Sequence, residues 1–296
     1  MSYPVVRELA ADGVPVATAC RVLKVSTSGY YGWRDRPPSE RDLADAYLGN
    51  QVVDIHTASH GTYGARRVHA ELRLGKGVRT GRKRIERLMR CASRAGIDRR
   101  RARGCTRRDP SAEPSADLVQ RNFRPEAPDR LYVADITQHR TAQGWYYLAV
   151  VLDCFSRRVI GWAMADHLRA ELVVDALQMA IWNRRPRRGT IHHSDHGSQY
   201  TSWAFGRRLR DAGLLGSMGT IGDCFDNSVA ESFFATLQTE VLDRRSWRSR
   251  DELGSAVFAY IEGFYNPRRR HSTLGYQSPA DYESQHQAGR LTEPAA

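Results

Sequence analysis

The chain has 296 residues, 41% hydrophobic and 26% charged, the composition of a globular protein rather than a disordered or fibrous one; the length predicts two or three domains, or one domain with appendages. No stretch approaches the roughly 18 consecutive apolar residues of a membrane span. The start, MSYPVVRELAADGVPV, lacks the basic region, apolar run and cleavage site of a secretory signal, so a cytoplasmic protein with no membrane partner is expected. Five cysteines, at positions 20, 91, 105, 154 and 224, are odd in number, scattered and without C-x-x-C, which argues against a disulfide framework and a thiolate zinc site.

Charge is unevenly placed. Residues 1–124 hold 25 Lys and Arg against 13 Asp and Glu, the rest of the chain holds 20 of each, and the net charge of +12 therefore sits entirely in the first part. A strongly basic segment joined to a neutral one predicts a polyanion-binding module attached to something else, with nucleic acid the usual polyanion. On charge alone, an excess that only keeps the chain soluble stays open.

In chain order, PVVRELAADG predicts a helix. Pro15 suits the first turn of a second through Val16, Ala19 and Leu23. Ser26 to Ser28 offer N-caps for a third around Tyr30, Tyr31 and Trp33. Residues 1–40 thus read as a helix-turn-helix-like segment, and 41–100 as a second helical, DNA-binding unit. In its last helix Ile85, Leu88 and Met89 form an apolar stripe, while Arg82, Lys83, Arg84 and Arg87 cover the other faces as candidate DNA contacts. A solvated face of a structural helix would look similar. Residues 101–124, rich in Arg and interrupted by proline, read as a basic linker.

From 125 the texture changes. RLYVADIT (130–137), WYYLAVVLD (145–153) and RRVIGWAM (157–164) predict an antiparallel meander. Helices at 171–183 and 201–213 then alternate with short strands at 190–194 and 214–218, and further helices follow at 226–243 and 251–266. The expected fold class is α/β: a five-stranded mixed sheet flanked by helices over 125–285, preceded by an all-α region and followed by a flexible tail, 286–296.

Three acidic residues resist explanation as surface decoration. Asp135 interrupts an apolar strand, where an unpaired carboxylate is costly. Asp195 directly follows the strand TIHHS, at the end where open α/β sheets place their sites. Glu231 falls in the first turn of the helix beginning near Asn227. Each also has a purely structural reading: Asp135 as an arginine's partner, Asp195 as a turn residue, Glu231 as the acid of a capping box with Ser228. Together, three carboxylates suit hard cations such as Mg²⁺ or Mn²⁺, and two such ions are the arrangement that serves phosphodiester chemistry. With no G-x-S-x-G, Gly-rich phosphate loop or Cys/His pairing, acyl transfer and nucleotide hydrolysis have no support.

The motifs ACRVLKVSTSGYYGWRDRPPS, HGTYGARRVHAELR, YVADIT, GWYYLAVVLDCFSRRVIGWAM, HSDHGSQYTS, DCFDNSVAESFFATLQTEVL and FYNPRRRHSTLGYQSPADYE span about residues 15–285. In this order they resemble the transposases of bacterial insertion sequences whose catalytic protein is the second of two overlapping reading frames, relatives of retroviral integrases. The resemblance implies a ribonuclease H-like core in which Asp135, Asp195 and Glu231 are the catalytic, metal-holding triad for two Mg²⁺ (or Mn²⁺) ions. It implies polynucleotidyl transfer at the ends of a mobile element, with water and then a DNA 3′-hydroxyl attacking a phosphodiester. Implied partners are double-stranded DNA (terminal inverted repeats and target), further copies of the chain on that DNA, and the upstream reading-frame product; the implied location is the nucleoid. Ser198, Gln199, Asn227 and Ser232 flank the triad and are expected near metal or DNA, and Arg268, Arg269 and Arg270 are candidate DNA contacts.

Two departures from the family's pattern remove charge near the active site: Gln238 stands where Lys or Arg is common, and Gly219 to Gly222 replace a loop often basic. His56 and His60 form H-x-x-x-H, but a zinc site would need nearer cysteines than Cys91 and Cys105. His192, His193 and His196 flank Asp195 as tuning or structural histidines, His193 being the one expected to be shielded from solvent. The alternatives are a catalytically decayed DNA-binding protein derived from a transposase, and a ribonuclease H-like nuclease.

Overall fold

The computed structural model describes residues 2–97, 125–195, 197–218 and 228–292; the expected linker, Gly219 to Gly222, and Asn227 lie outside the described residues. The chain divides into two compact units, the first through Val52 and the second from Val53.

The first unit contains α1 (Ser2–Ala11), α2 (Val16–Val22), α3 (Thr27–Arg34) and the start of α4 (Glu40–Ala58). Ser26 caps α3 by accepting from the Gly29 amide at 3.1 Å, which satisfies a donor with no partner inside the helix. Val6, Ala19, Cys20 and Tyr30 form its small core, with Tyr3 and Trp33 stacked at its edge.

The second unit opens with the end of α4, followed by α5 (Ala65–Leu74) and α6 (Arg82–Cys91). In α6 the stripe Ile85, Leu88 and Met89 is buried, as the sequence spacing predicts. The sheet then forms from β1 (Leu131–Thr141), β2 (Gly144–Asp153) and β3 (Val159–Ala165), an antiparallel meander, with β4 (Ile191–Ser194) and β5 (Leu215–Met218) added in parallel. The strand order is β3-β2-β1-β4-β5.

Helices cover both faces. α7 (Ala170–Arg184) and α8 (Trp203–Asp211) bury Leu172, Ala176, Leu177 and Phe205 against Tyr132, Ala134, Ala149 and Val151. Close packing of α7 depends on Gly161: a Cβ there would stand 2.2 Å from the Ala176 carbonyl oxygen. Side-chain alternation sends Val133 and Asp135 to the opposite face, where α9 (Ser228–Glu240) packs on β1 and β2.

The expected helix 251–266 is α10 (Arg250–Tyr260) followed by a π turn, Ile261–Tyr265. Just beyond, the Asn266 side chain pairs with both backbone groups of Val159: its Nδ2 donates to the carbonyl at 2.9 Å and its Oδ1 accepts from the amide at 3.0 Å. This satisfies part of the outer edge of β3. The chain ends in α11 (Pro279–Thr292), which continues through most of the segment expected as a flexible tail. Glu283 of α11 holds it in place, accepting from Arg184 and Arg158 at 2.8 Å each and from Ser156 at 2.7 Å. Arg184 also reaches Asp129 and Asp153. Burial pushes the fully enclosed Asp153 carboxyl up to about 6, even against the pull of Arg184.

The arginine run after the π turn does not project into solvent as a unit, and here the structure corrects the expected DNA contacts. Arg268 is exposed. Arg269 is 2% exposed and grips Glu240 of α9 through Nε at 2.8 Å and Nη2 at 2.6 Å. Tyr260 donates to the same carboxylate at 2.8 Å, and Arg67 of α5 lies 3.6 Å away. Burial raises the Glu240 carboxyl, but Arg269 more than offsets this and holds it below the usual glutamate value. Arg270 pairs with Glu71 of α5 at 2.6 Å, while its amide donates to the Tyr63 hydroxyl at 2.7 Å. Both side chains are therefore committed to buried or half-buried carboxylates. Replacing Arg269 with Met leaves Glu240 uncompensated inside the protein, and urea unfolding should show a loss of about 3–5 kcal/mol; a loss below about 1 kcal/mol would mean that the pair is not structural.

Candidate active site

β4 lies beside β1 in parallel, with Leu131, Tyr132 and Val133 opposite Ile191, His192 and His193. Continuing that register by two residues brings Asp195, just past the end of β4, level with Asp135. Asp135 lies on the face that α9 covers, and Glu231 is in the first turn of α9. Three distant stretches of sequence are thus brought to one end of the sheet by strand register and one helix.

The electrostatics carry the mark of that proximity. Burial pushes the Asp135 carboxyl up to about 7; a hydrogen bond from the Ile136 amide at 2.8 Å works the other way, and Asp195 and Glu231 add to the rise. Partial burial also raises Glu231. Asp195 is exposed and accepts from the Gly197 amide at 3.1 Å. A Cβ at Gly197 would lie 3.0 Å from both Asp195 Oδ1 and Gln199 Oε1, so glycine lets the chain turn this closely behind the carboxylate.

No group of three or more His, Cys, Asp or Glu among the described residues is drawn together tightly enough to hold a metal. Without a cation, Asp195 and Glu231 add to the rise that burial imposes on Asp135. The donor set, all carboxylate oxygen, fits a hard divalent ion.

Around the carboxylates, Ser198 is exposed, and the Gln199 amide donates to the Leu168 carbonyl at 3.2 Å, bracing the Asp195 loop. Ser232 follows Glu231 on α9 and lines a small cavity. Both His192 and His193 are 1% exposed, because β4 lies inside the sheet with both faces covered. His192 meets Phe205 edge-on and burial lowers it to about 4, a neutral core imidazole; His193 approaches the Ser217 hydroxyl at 3.0 Å. His56 is spent on the Ala95 carbonyl at 3.0 Å. Gln238 donates to Asp243, so this position faces a carboxylate. Tyr200 escaped sequence reasoning: its buried hydroxyl has no hydrogen-bond partner among the described residues and lies within electrostatic reach of Asp135 and Asp195.

The candidate DNA contacts of α6 differ in exposure. Arg82, Lys83 and Arg87 are exposed and Arg84 half-buried; Arg82 makes only a surface pair with Glu86 at 3.2 Å. Arg82 and Lys83 join Arg66, His69 and Arg73 of α5 around a cleft of about 700 Å³.

The family described as Integrase core domain matches residues 125–224 and again 213–279, and the family described as HTH-like domain matches residues 42–102. With the sheet order above, these define an integrase-core protein of ribonuclease H-like fold carrying a helix-turn-helix-like region. The chain is 38% identical over 280 residues to a protein of insertion sequence element IS986/IS6110 from Mycobacterium tuberculosis, covering 93% of this chain and 100% of that one. It is 37% identical over 275 residues to the transposase InsF for insertion sequence IS3A of Escherichia coli K12, covering 92% and 95%. Among solved structures it is similar to the simian T-cell lymphotropic virus intasome in complex with PP2A regulatory subunit B56 gamma (16% identity, TM-score 0.46, covering 83% and 78%). The chain belongs to the insertion-sequence transposases.

Because folded Asp135 binds its proton more tightly than an unfolded aspartate, with a pKa near 3.9, the cation-free protein should lose stability as pH rises from about 4 to about 7 and level off above. Asp135→Asn removes this cost. Thermal melts in chelator should therefore place the variant above wild type at about pH 8, by on the order of 2–4 kcal/mol, and beside it at about pH 4. A pH-independent difference would contradict the assignment.

Proposed function

We propose that this transposase cuts and joins DNA strands at the ends of its own mobile element, with Asp135, Asp195 and Glu231 as the residues that hold two Mg²⁺ or Mn²⁺ ions. The observation that carries the reading is the alignment of Asp195 with Asp135 by parallel register under α9, reflected in the raised Asp135 carboxyl. When bound, such ions activate an attacking oxygen and stabilise the leaving oxygen of a phosphodiester. The protein's part is positional. β1 presents Asp135 from a rigid strand interior, the Gly197 turn presents Asp195, and α9, held at its far end by Arg269, presents Glu231. Nothing in this arrangement calls for a covalent protein intermediate.

DNA binding is assigned to Arg82, Lys83, Arg84 and Arg87 of α6, extended by the α5 side of the basic cleft, with Arg268 as an outlying contact; the cleft collects cationic side chains from two helices without a carboxylate in its lining. Partners under this reading are double-stranded DNA of the inverted repeats and target, a second copy to pair two ends, and the upstream reading-frame product; the place of action is the nucleoid.

The direct test is nicking of a labelled duplex bearing the inverted repeats that flank its own gene, in Mg²⁺ or Mn²⁺. Glu231→Gln preserves shape and removes one charge, and it should lower nicking at the repeat end at least about a hundredfold; equal nicking removes Glu231 from the mechanism. For the DNA surface, Lys83→Ala should weaken binding to all duplexes alike and reduce the slope of log affinity against log salt by about 0.9. Unchanged salt dependence would move the surface elsewhere.

A further inference from the structure

Tyr200 is 3% exposed, and its hydroxyl donates to nothing among the described residues. Buried polar groups are nearly always hydrogen-bonded, so an orphan of this kind calls for a reason. Nor does the phenol ionise instead. Burial pushes it well above its ordinary value and Asp135 and Asp195 push it further, so it stays a neutral O–H donor.

The side chain is fixed by its backbone and by its ring. The Tyr200 amide donates to the Gly197 carbonyl at 3.0 Å, closing the turn that leaves Asp195. Two residues on, Ser202 caps α8 by accepting from the Phe205 amide at 3.3 Å. The Tyr200 ring meets Phe205 edge-on with centroids 5.3 Å apart, and His192 of β4 packs edge-on against the same Phe205 ring. A Cβ at Gly197 would lie 3.0 Å from Asp195 Oδ1 and 3.6 Å from the Tyr200 ring, which places ring and carboxylate around one corner. Moving the hydroxyl to find a partner elsewhere would undo this packing.

The strands leave a way from this corner to Asp135. β4 ends at Ser194, and its last residue paired with β1 is His193, opposite Val133. β1 runs on to Thr141, so on that side Asp135 is flanked by no strand, and the chain leaving β4 there is the turn that carries Tyr200. A side chain of this turn reaches Asp135 past the end of β4, without crossing a face of the sheet. Both aspartates use one oxygen on a backbone amide: Asp135 Oδ1 accepts from Ile136 at 2.8 Å, and Asp195 Oδ1 from Gly197 at 3.1 Å. Among the described residues nothing donates to either Oδ2. Asp135 is the more enclosed of the two, and an enclosed donor meets an acceptor that is itself reached from inside.

We propose that Tyr200 is a positioning residue of the metal-holding site, its hydroxyl donating to the Asp135 carboxylate when the triad holds a cation; the assignment rests on the strand-transfer reading above. A carboxylate has about four lone-pair directions, enough for an amide, a phenol and a metal. Because the bond is unmade in the cation-free chain and made in the loaded one, it favours loading by the difference. It also fixes the orientation of Asp135, as partners behind metal-holding side chains do. A buried water on the hydroxyl is the competing account, and it would leave cation binding indifferent to the residue.

The test reads cation binding by the full-length protein. Tyr200→Phe keeps the ring and removes one oxygen. In chelator its Tm should equal or exceed that of wild type, since only a donor without a partner is lost. Calorimetric titration with Mn²⁺ should show affinity weakened about tenfold, and the rise in Tm that Mn²⁺ brings should shrink with it. The Mn²⁺ concentration giving half-maximal nicking should rise by a similar factor, with a smaller effect at saturation. Wild-type Mn²⁺ affinity in Tyr200→Phe overturns the proposal. So does a clearly lower Tm in chelator, which would show the hydroxyl already satisfied in the cation-free fold. Asp135→Asn separates the two readings. If it responds to Mn²⁺ as wild type does, the triad reading fails; if it loses binding while Tyr200→Phe keeps it, the Tyr200 assignment alone fails.

Discussion

Everything functional in this molecule depends on the parallel pairing of β1 with β4. That pairing is only three residues deep, yet it converts sixty residues of separation into adjacency and puts two acidic side chains level with one another on interior strands of an apolar sheet. The local cost is visible in the Asp135 carboxyl, which in the cation-free chain is held near neutrality by burial and by its neighbours. A large core underwrites that cost, since α7 and α8 pack against the other face.

The second organising feature is the carboxylate of Glu240. It is buried, and it is reached by the C-terminal segment through Arg269, by α10 through Tyr260 and by α5 through Arg67. Together with the Arg270 pair to Glu71, this ties the α5–α6 pair to the helix that carries Glu231. The α5–α6 pair and the helix that carries Glu231 are therefore joined by a chain of ionic contacts rather than only by a peptide connection.

Much of this was legible in the sequence because the relevant signals are local. Alternation and β-branched content reveal the three-stranded meander, the apolar stripe of α6 appears at helical spacing, and a carboxylate inside LYVADIT stands out as a violation of strand chemistry. The errors came where the deciding partner is remote. PRRRHSTLGY looks like a solvent-facing basic tip, but Arg269 answers to Glu240, 29 residues away, and Arg270 to Glu71, 199 residues away; no local pattern distinguishes an arginine waiting for phosphate from one already matched to a buried acid. Tyr200 was missed for the same reason, since its orphaned hydroxyl is defined by what surrounds it in space. The tail was misjudged because α11 has a weak apolar pattern and is held mainly by the ionic cluster at Glu283.

That cluster bears on how such a gene can decay. Glu283 lies near the end of the chain, yet its oxygens complete the coordination of Arg184 at the end of α7 and of the Ser156 hydroxyl in the β2–β3 turn. A stop codon just upstream of Glu283 strips the largely buried Arg184 guanidinium of one of its counterions at the back of the sheet. Loss of α11 is thus not a silent trim: it would act as a destabilising lesion of the core, and selection on an active element should reach as far as the codon for Glu283.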